Sequence, residues 1–79
     1  MNRLEGQTKT FETSDLYLAS FLRCRNFAIT DIKRHNGKTI FAFGDTDELR
    51  HAILDYANDG AVGARSFYNT MRDLKALTR

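Results

Sequence analysis

Proline is absent from this chain, cysteine occurs once, and glycine only five times. Each scarcity closes off a class of protein. A single thiol, Cys24, cannot form an internal disulfide, and no cluster of cysteine and histidine offers the ligands of a structural metal. There is no glycine-rich loop to cradle a phosphate group; Gly60 and Gly63 have the spacing of helix punctuation. No apolar run reaches the length of a signal-peptide core, and none approaches the roughly 18 residues of a membrane span. One unpaired cysteine and no export signal lead to the expectation of a reducing, cytoplasmic setting with no membrane partner. No repeat or low-complexity tract divides the chain, so one domain is expected over residues 10–79, behind a flexible polar leader at 1–9.

What remains is a foldable but small apolar complement. The chain has 79 residues, of which 42% are hydrophobic. A domain of this size buries only about 60% of its unfolded surface, so its stability is marginal. Helix packing, or a partner surface, must supply the rest, and self-association into a homodimer is one way to do so. Net charge is only +2, but it is dealt out in blocks. Residues 21–39 hold Arg23, Arg25, Lys33, Arg34 and Lys38 against Asp31 alone. Residues 45–60 hold Asp45, Asp47, Glu48, Asp55 and Asp59 against Arg50, and the tail is basic again. Such alternation fits neighbouring elements that attract one another, or a dipolar partner surface, better than one continuous anion-binding face.

The clearest local signal is the hairpin in "FAITDIKRHNGKTIFAF". Asn36-Gly37 suits a two-residue type I′ turn, because both residues tolerate positive φ. Folding there pairs Arg34 with Thr39, Ile32 with Phe41 and Thr30 with Phe43, with Ile32, Phe41 and Phe43 on the core face. Strict alternation would strand Phe27 and Ile29 on the other face, so a one-residue bulge near Thr30 or Asp31 is expected. Before the hairpin, "TSD" opens a helix of about 11 residues closing near Arg25 or Asn26, with Thr13 or Ser14 as its cap and Asp15 at the positive end of its dipole. Its apolar arc takes in Tyr17, Leu18, Phe21, Leu22 and Cys24, leaving Ser20 and Arg23 outside. After the hairpin, Asp45 and Glu48 have capping-box spacing, with Thr46 as the other candidate cap. Leu49, Ala52, Ile53, Tyr56 and Ala57 share an arc of that second helix, and Gly60 is placed for a left-handed stop. A third helix follows "AVG" and turns Ala64, Phe67, Met71, Leu74 and Leu77 inward. "KTFE" around Phe11 has room for a short third strand. The fold class is therefore α+β, an antiparallel hairpin packed by three helices in the order (β)αββαα.

The segments "TFETSDLYLASFL", "FGDTDELRHAILDY" and "ARSFYNTMRDLKALTR", set around that hairpin, resemble a small bacterial domain family known only as a domain of unknown function. The likeness spans roughly residues 10–79 and is most distinctive in "TSDLYLASFL" (Thr13 to Leu22) and "RDLKAL" (Arg72 to Leu77). It implies a free-standing bacterial domain and carries no activity, cofactor or catalytic residue with it.

Four constellations have chemical potential. Cys24 stands between Arg23 and Arg25, and two guanidinium groups would favour a thiolate. Residues adjacent in a helix do not face each other, however, so Cys24 reads as a small packing residue. Asp47, His51 and Asp55 line one helical stripe, with His35 a distant fourth, but a single helix supplies few ligands and a solvated face explains them better. Phe41 and Phe43 alternate on a strand as stacking rings do in some RNA-binding sheets, yet so small a domain needs them inside. The fourth is the last helix. With Arg65 at 0°, the residues Tyr68, Arg72, Lys75 and Arg79 fall in a stripe about 80° wide. That stripe suits phosphate contacts with ring stacking, or equally a protein partner, and Arg72 or Lys75 could also pair with the acidic second helix. The sequence expectation is thus a non-enzymatic protein-interaction or self-association module, without cofactor or metal. The alternative is an accessory nucleic-acid-binding protein using the basic face of the last helix.

Overall fold

The computed structural model describes residues 9–78. Of the leader expected at 1–9, only Lys9 falls within them; its carbonyl accepts the Asp45 N–H at 2.9 Å. The described chain runs β1 (Thr10–Thr13), α1 (Leu16–Cys24), β2 (Ile29–His35), β3 (Lys38–Gly44), α2 (Asp47–Ala57) and α3 (Ala64–Ala76). The fold is α+β, as expected, and the third strand is present. All pairing is antiparallel in the order β1-β3-β2, so the central strand is the last in sequence.

The hairpin turns through Asn36 (φ 53°) and Gly37 (φ 79°), the two positive angles of a type I′ turn. Register follows the expected pairs Arg34–Thr39 and Ile32–Phe41 and then slips: Ile29, not Thr30, lies opposite Phe43. Thr30 is the extra residue of a bulge, and its hydroxyl donates to the Ala42 carbonyl at 3.3 Å. The slip returns Phe27 and Ile29 to the core side, where both pack against the core. Ile32, assigned to the core face, is 39% exposed because β2 is an edge strand that the helices only partly cover. On β3, Phe41 and Phe43 are fully buried. The opposite sheet face is crossed by an ion pair between the edge strands, Lys33 Nζ to Glu12 Oε2 at 2.7 Å.

α1 is the central helix, in contact with α2, α3 and β1. Its cap is Asp15, not Thr13 or Ser14: the carboxylate accepts from Tyr17 N at 2.9 Å and Leu18 N at 3.2 Å. Thr13 instead ends β1, and its hydroxyl accepts the Asp15 N–H. Five successive residues, Leu18 to Leu22, are buried, so the middle of the helix is enclosed all round and a single-face reading is too narrow there. Ser20, expected outside the arc, is 0% exposed and donates to Leu16 O at 2.8 Å. Its small size lets a neighbouring element approach.

The first two helices end alike. Asn26 (φ 71°) follows α1, with its N–H on Arg23 O and the Phe27 N–H on Leu22 O. Asp59 (φ 66°) follows α2, with its N–H on Tyr56 O and the Gly60 N–H on Asp55 O. These are paired Schellman stops, and in each the left-handed residue is one that tolerates αL through a short polar side chain. Gly60 is therefore not the left-handed residue. It is needed for proximity: a Cβ there would sit 2.8 Å from the Asp55 carbonyl oxygen. At the start of α2 the cap is Thr46, whose hydroxyl accepts Leu49 N at 3.1 Å. The capping box of Asp45 is not formed, because both of its oxygens are taken by Arg50 at 2.9 and 2.6 Å.

α2 turns Leu49 and Ala52 into the core, with Ile53 and Tyr56 half-buried and Ala57 exposed. α3 has Leu74 buried and Phe67 and Met71 half-buried. Ala64 and Leu77, both expected inward, are exposed, Leu77 at 53%. They lie at the two ends of α3, with Leu77 just past its last turn, so only the middle of the helix is covered.

Candidate partner-binding face

Arg65, Tyr68, Arg72 and Lys75 all lie on the exposed side of α3, as their spacing requires. The fifth residue of the stripe, Arg79, lies outside the described residues. Tyr68 and Arg72 are one helical turn apart, and the Arg72 guanidinium carbon stands 6.0 Å from the Tyr68 ring centroid. That is the outer limit of a cation–π contact, and the pair holds both groups on the surface. The alternative role for these cations, pairing with acidic α2, is not taken up. Among the described residues no ion pair joins α3 to α2, and both helices pack on α1 rather than extensively on each other.

The structure adds a residue that sequence reasoning put inside. Tyr17 is 56% exposed, the same fraction as Tyr68. The two rings flank a shallow cleft of about 200 Å³ between α1 and α3, floored by Leu16 and Met71 and edged by Arg72 and Lys75. Helical periodicity places Tyr17 on the apolar arc but does not say which helix closes over that part of it. Its position in the first turn, two residues after the cap, is the one hint that it stands at the open end. Lys75 is shared with a second hollow toward the hairpin turn, where Lys38 also stands.

The remaining constellations resolve into structural roles. Arg25, at the end of α1, lies 4.6 Å above the Phe21 ring, reaches Asp55 Oδ2 at 3.1 Å and donates to Ala61 O at 2.9 Å. Phe21 in turn meets the Tyr56 ring at 5.3 Å between centroids. The attraction between a basic and an acidic block, expected from the charge pattern, is realised in this contact. Burial, with the charge of Asp15 adding to it, pushes the Tyr56 hydroxyl upward from its ordinary pKa. Arg23 donates to Phe27 O, so neither guanidinium flanking Cys24 is directed at the sulfur. Cys24 is half-buried, with Sγ 3.7 Å from Thr70 Oγ1. Asp47 and His51 are exposed, Asp55 is engaged by Arg25, and no group of three or more potential metal ligands exists among the described residues. Phe41 and Phe43 are core. No described helix is long and apolar enough to cross a membrane.

Residues 8–79 match the family model described as Domain of unknown function (DUF5659). No match was found among curated proteins or solved structures.

Proposed function

The chain belongs to the DUF5659 family, and from the face shared by α1 and α3 we propose that it is a non-enzymatic, cytoplasmic interaction module that docks a protein partner. The observation that carries this reading is the pair of half-exposed tyrosines, Tyr17 and Tyr68, around an apolar floor and beside Arg72 and Lys75. Tyrosine and arginine supply a disproportionate share of binding energy at protein interfaces, and they do so when set around a small apolar pocket with a polar rim. The cationic rim favours a partner segment that carries acidic side chains beside an apolar anchor. Capture from a cell lysate, with the wild type compared against Tyr68→Ala/Arg72→Glu, tests it. Partners held by the wild type and lost from the variant support the reading; an unchanged captured set sinks it.

A second reading, an accessory binder of single-stranded nucleic acid, gains from the same two rings, because bases stack on exposed aromatics beside cations. Against it stand the three described cations of the stripe, which allow few phosphate contacts, and the acidic exposed face of α2, which repels a polyanion. Fluorescence anisotropy with a labelled single-stranded oligonucleotide at low salt decides between them. Binding that falls steeply with salt and disappears in Arg65→Gln/Arg72→Gln/Arg79→Gln would favour nucleic acid; no titration would remove it.

A further inference from the structure

The surface opposite in character to the α3 stripe is the outward side of α2. Asp47, His51 and Leu54 recur there at helical spacing, away from the buried Leu49 and Ala52. Leu54 is a large exposed apolar residue. Asp47 and Glu48 stand in the first turn and take part in none of the ion pairs formed by the described residues, and exposed Asp59 lies just beyond the last turn. The other acids of the region are already satisfied, Asp45 by Arg50 and Asp55 by Arg25.

The two surfaces match in order and length. Asp47 and Glu48 at the start of α2 and Asp59 just past its end bracket Leu54; on α3, Arg65 at one end and Arg72 and Lys75 at the other bracket Tyr68. At 1.5 Å per residue, Asp47 to the end of α2 at Ala57 spans about 15 Å, and Arg65 to Lys75 on α3 also spans about 15 Å, with Asp59 just past the end of α2. Laid antiparallel, Asp47 and Glu48 meet Arg72 and Lys75, Leu54 meets Tyr68 and its cleft, and Asp59 meets Arg65. Since α2 and α3 both pack on α1, with no ion pair between them among the described residues, these charges are not used up inside one chain.

We infer that the occupant of the α1–α3 face is the α2 surface of a second copy of this chain. The inference rests on the docking reading above and names its partner. A two-fold pair makes the contact twice, whereas a head-to-tail arrangement makes it once at each junction, and the sedimenting mass tells the two apart. Charge attraction of this kind is steered and salt-sensitive, strong when the Debye length is about 30 Å at 0.01 M salt and screened at 1 M, where it is about 3 Å.

Sedimentation velocity over a concentration series tests it with three samples: wild type, Arg65→Glu/Arg72→Glu/Lys75→Glu, and Asp47→Lys/Glu48→Lys. The wild type should associate at 0.01 M salt and dissociate at 1 M, each variant alone should stay monomeric at low salt, and an equimolar mixture of the two should associate again. Far-UV circular dichroism checks that each variant is folded; if the lysine variant is not, Asp47→Asn/Glu48→Gln replaces it and should weaken association at least tenfold. A wild type that is monomeric at low salt overturns the inference, as does association that persists in either variant alone. Monomeric behaviour leaves the docking face for another protein's acidic segment, and that reading falls separately, on the capture comparison with Tyr68→Ala/Arg72→Glu.

Discussion

Arg25 and Asp55 close a 3.1 Å ion pair between the end of α1 and the last turn of α2, and the same guanidinium covers the Phe21 ring and holds the carbonyl of Ala61. One side chain thus ties together α1, α2 and the link that leads to α3. An exposed cation–π contact contributes about 0.5–1 kcal/mol, a surface ion pair about 0–1, and a hydrogen bond to a carbonyl about 1. Arg25→Ala should therefore cost about 1.5–3 kcal/mol in urea unfolding, while Asp55→Asn, which leaves the ring and carbonyl contacts in place, should cost under about 1. Equal losses for the two would show that the ion pair, not the guanidinium's other contacts, dominates.

The end of α2 separates two properties usually combined in one glycine. Asp59 has the left-handed φ, and Gly60 has the tight approach to the Asp55 carbonyl. Asp59→Gly should stabilise by about 0.5 kcal/mol, relief of the left-handed strain being partly offset by a floppier unfolded chain. Gly60→Ala should destabilise by about 1–3 kcal/mol, because the added methyl meets backbone that cannot move aside cheaply. Thermal melts of the two variants should shift in opposite directions.

Stability should respond to pH at both extremes. The two hydrogen bonds from Arg50 hold the Asp45 carboxyl below its ordinary range. A lowered carboxyl pKa contributes stability above the unfolded-state value, and the contribution is lost as pH falls through the folded value. Melting temperature should accordingly decline below about pH 4, and Arg50→Gln should flatten part of that decline. At the other extreme, the hydrogen bond to Glu12, and then its charge, raise the Lys33 ammonium. That contribution is complete below the unfolded value and disappears as pH rises through the folded one, so Lys33→Gln should flatten the alkaline side instead.

Ser20 tests how tightly α1 is enclosed. Its hydroxyl donates to a carbonyl of its own helix, and the residue has no exposed surface. Ser20→Ala should change stability by less than about 1 kcal/mol, whereas Ser20→Leu should cost about 1–3 as the neighbouring element is pushed away. A tolerated leucine would mean that the helix can shift within the core.

Local chemistry explains which features were legible in the sequence. Asn36-Gly37 dictates its turn, and the turn dictates the register as far as Ile32. The stranded positions of Phe27 and Ile29 required a bulge, which falls at Thr30. The basic stripe of α3 follows from spacing alone. The misses depend on what packs where. Ser20 and Tyr17 exchange their expected environments because α1 has neighbours on several sides and an open first turn, which no helical wheel records. Leu77 and Ile32 carry core chemistry at places the fold leaves uncovered, one past a helix end and one on an edge strand. Tyr17, the missing part of the candidate face, was hidden for the same reason: its partner ring comes from α3, far along the chain.

The bulge at Thr30 also bears on what this protein can be joined to. It interrupts the ladder near the start of edge strand β2, whose following positions carry Asp31, Lys33 and Arg34, while the opposite edge, β1, is only four residues long. Neither border offers an incoming strand a long, flat, uncharged run of free amides and carbonyls. Growth of the sheet across molecules by edge-to-edge strand pairing, the route to amyloid-like deposits, is thereby obstructed, which leaves the exposed helix faces as the better surfaces for ordered assembly among the described residues.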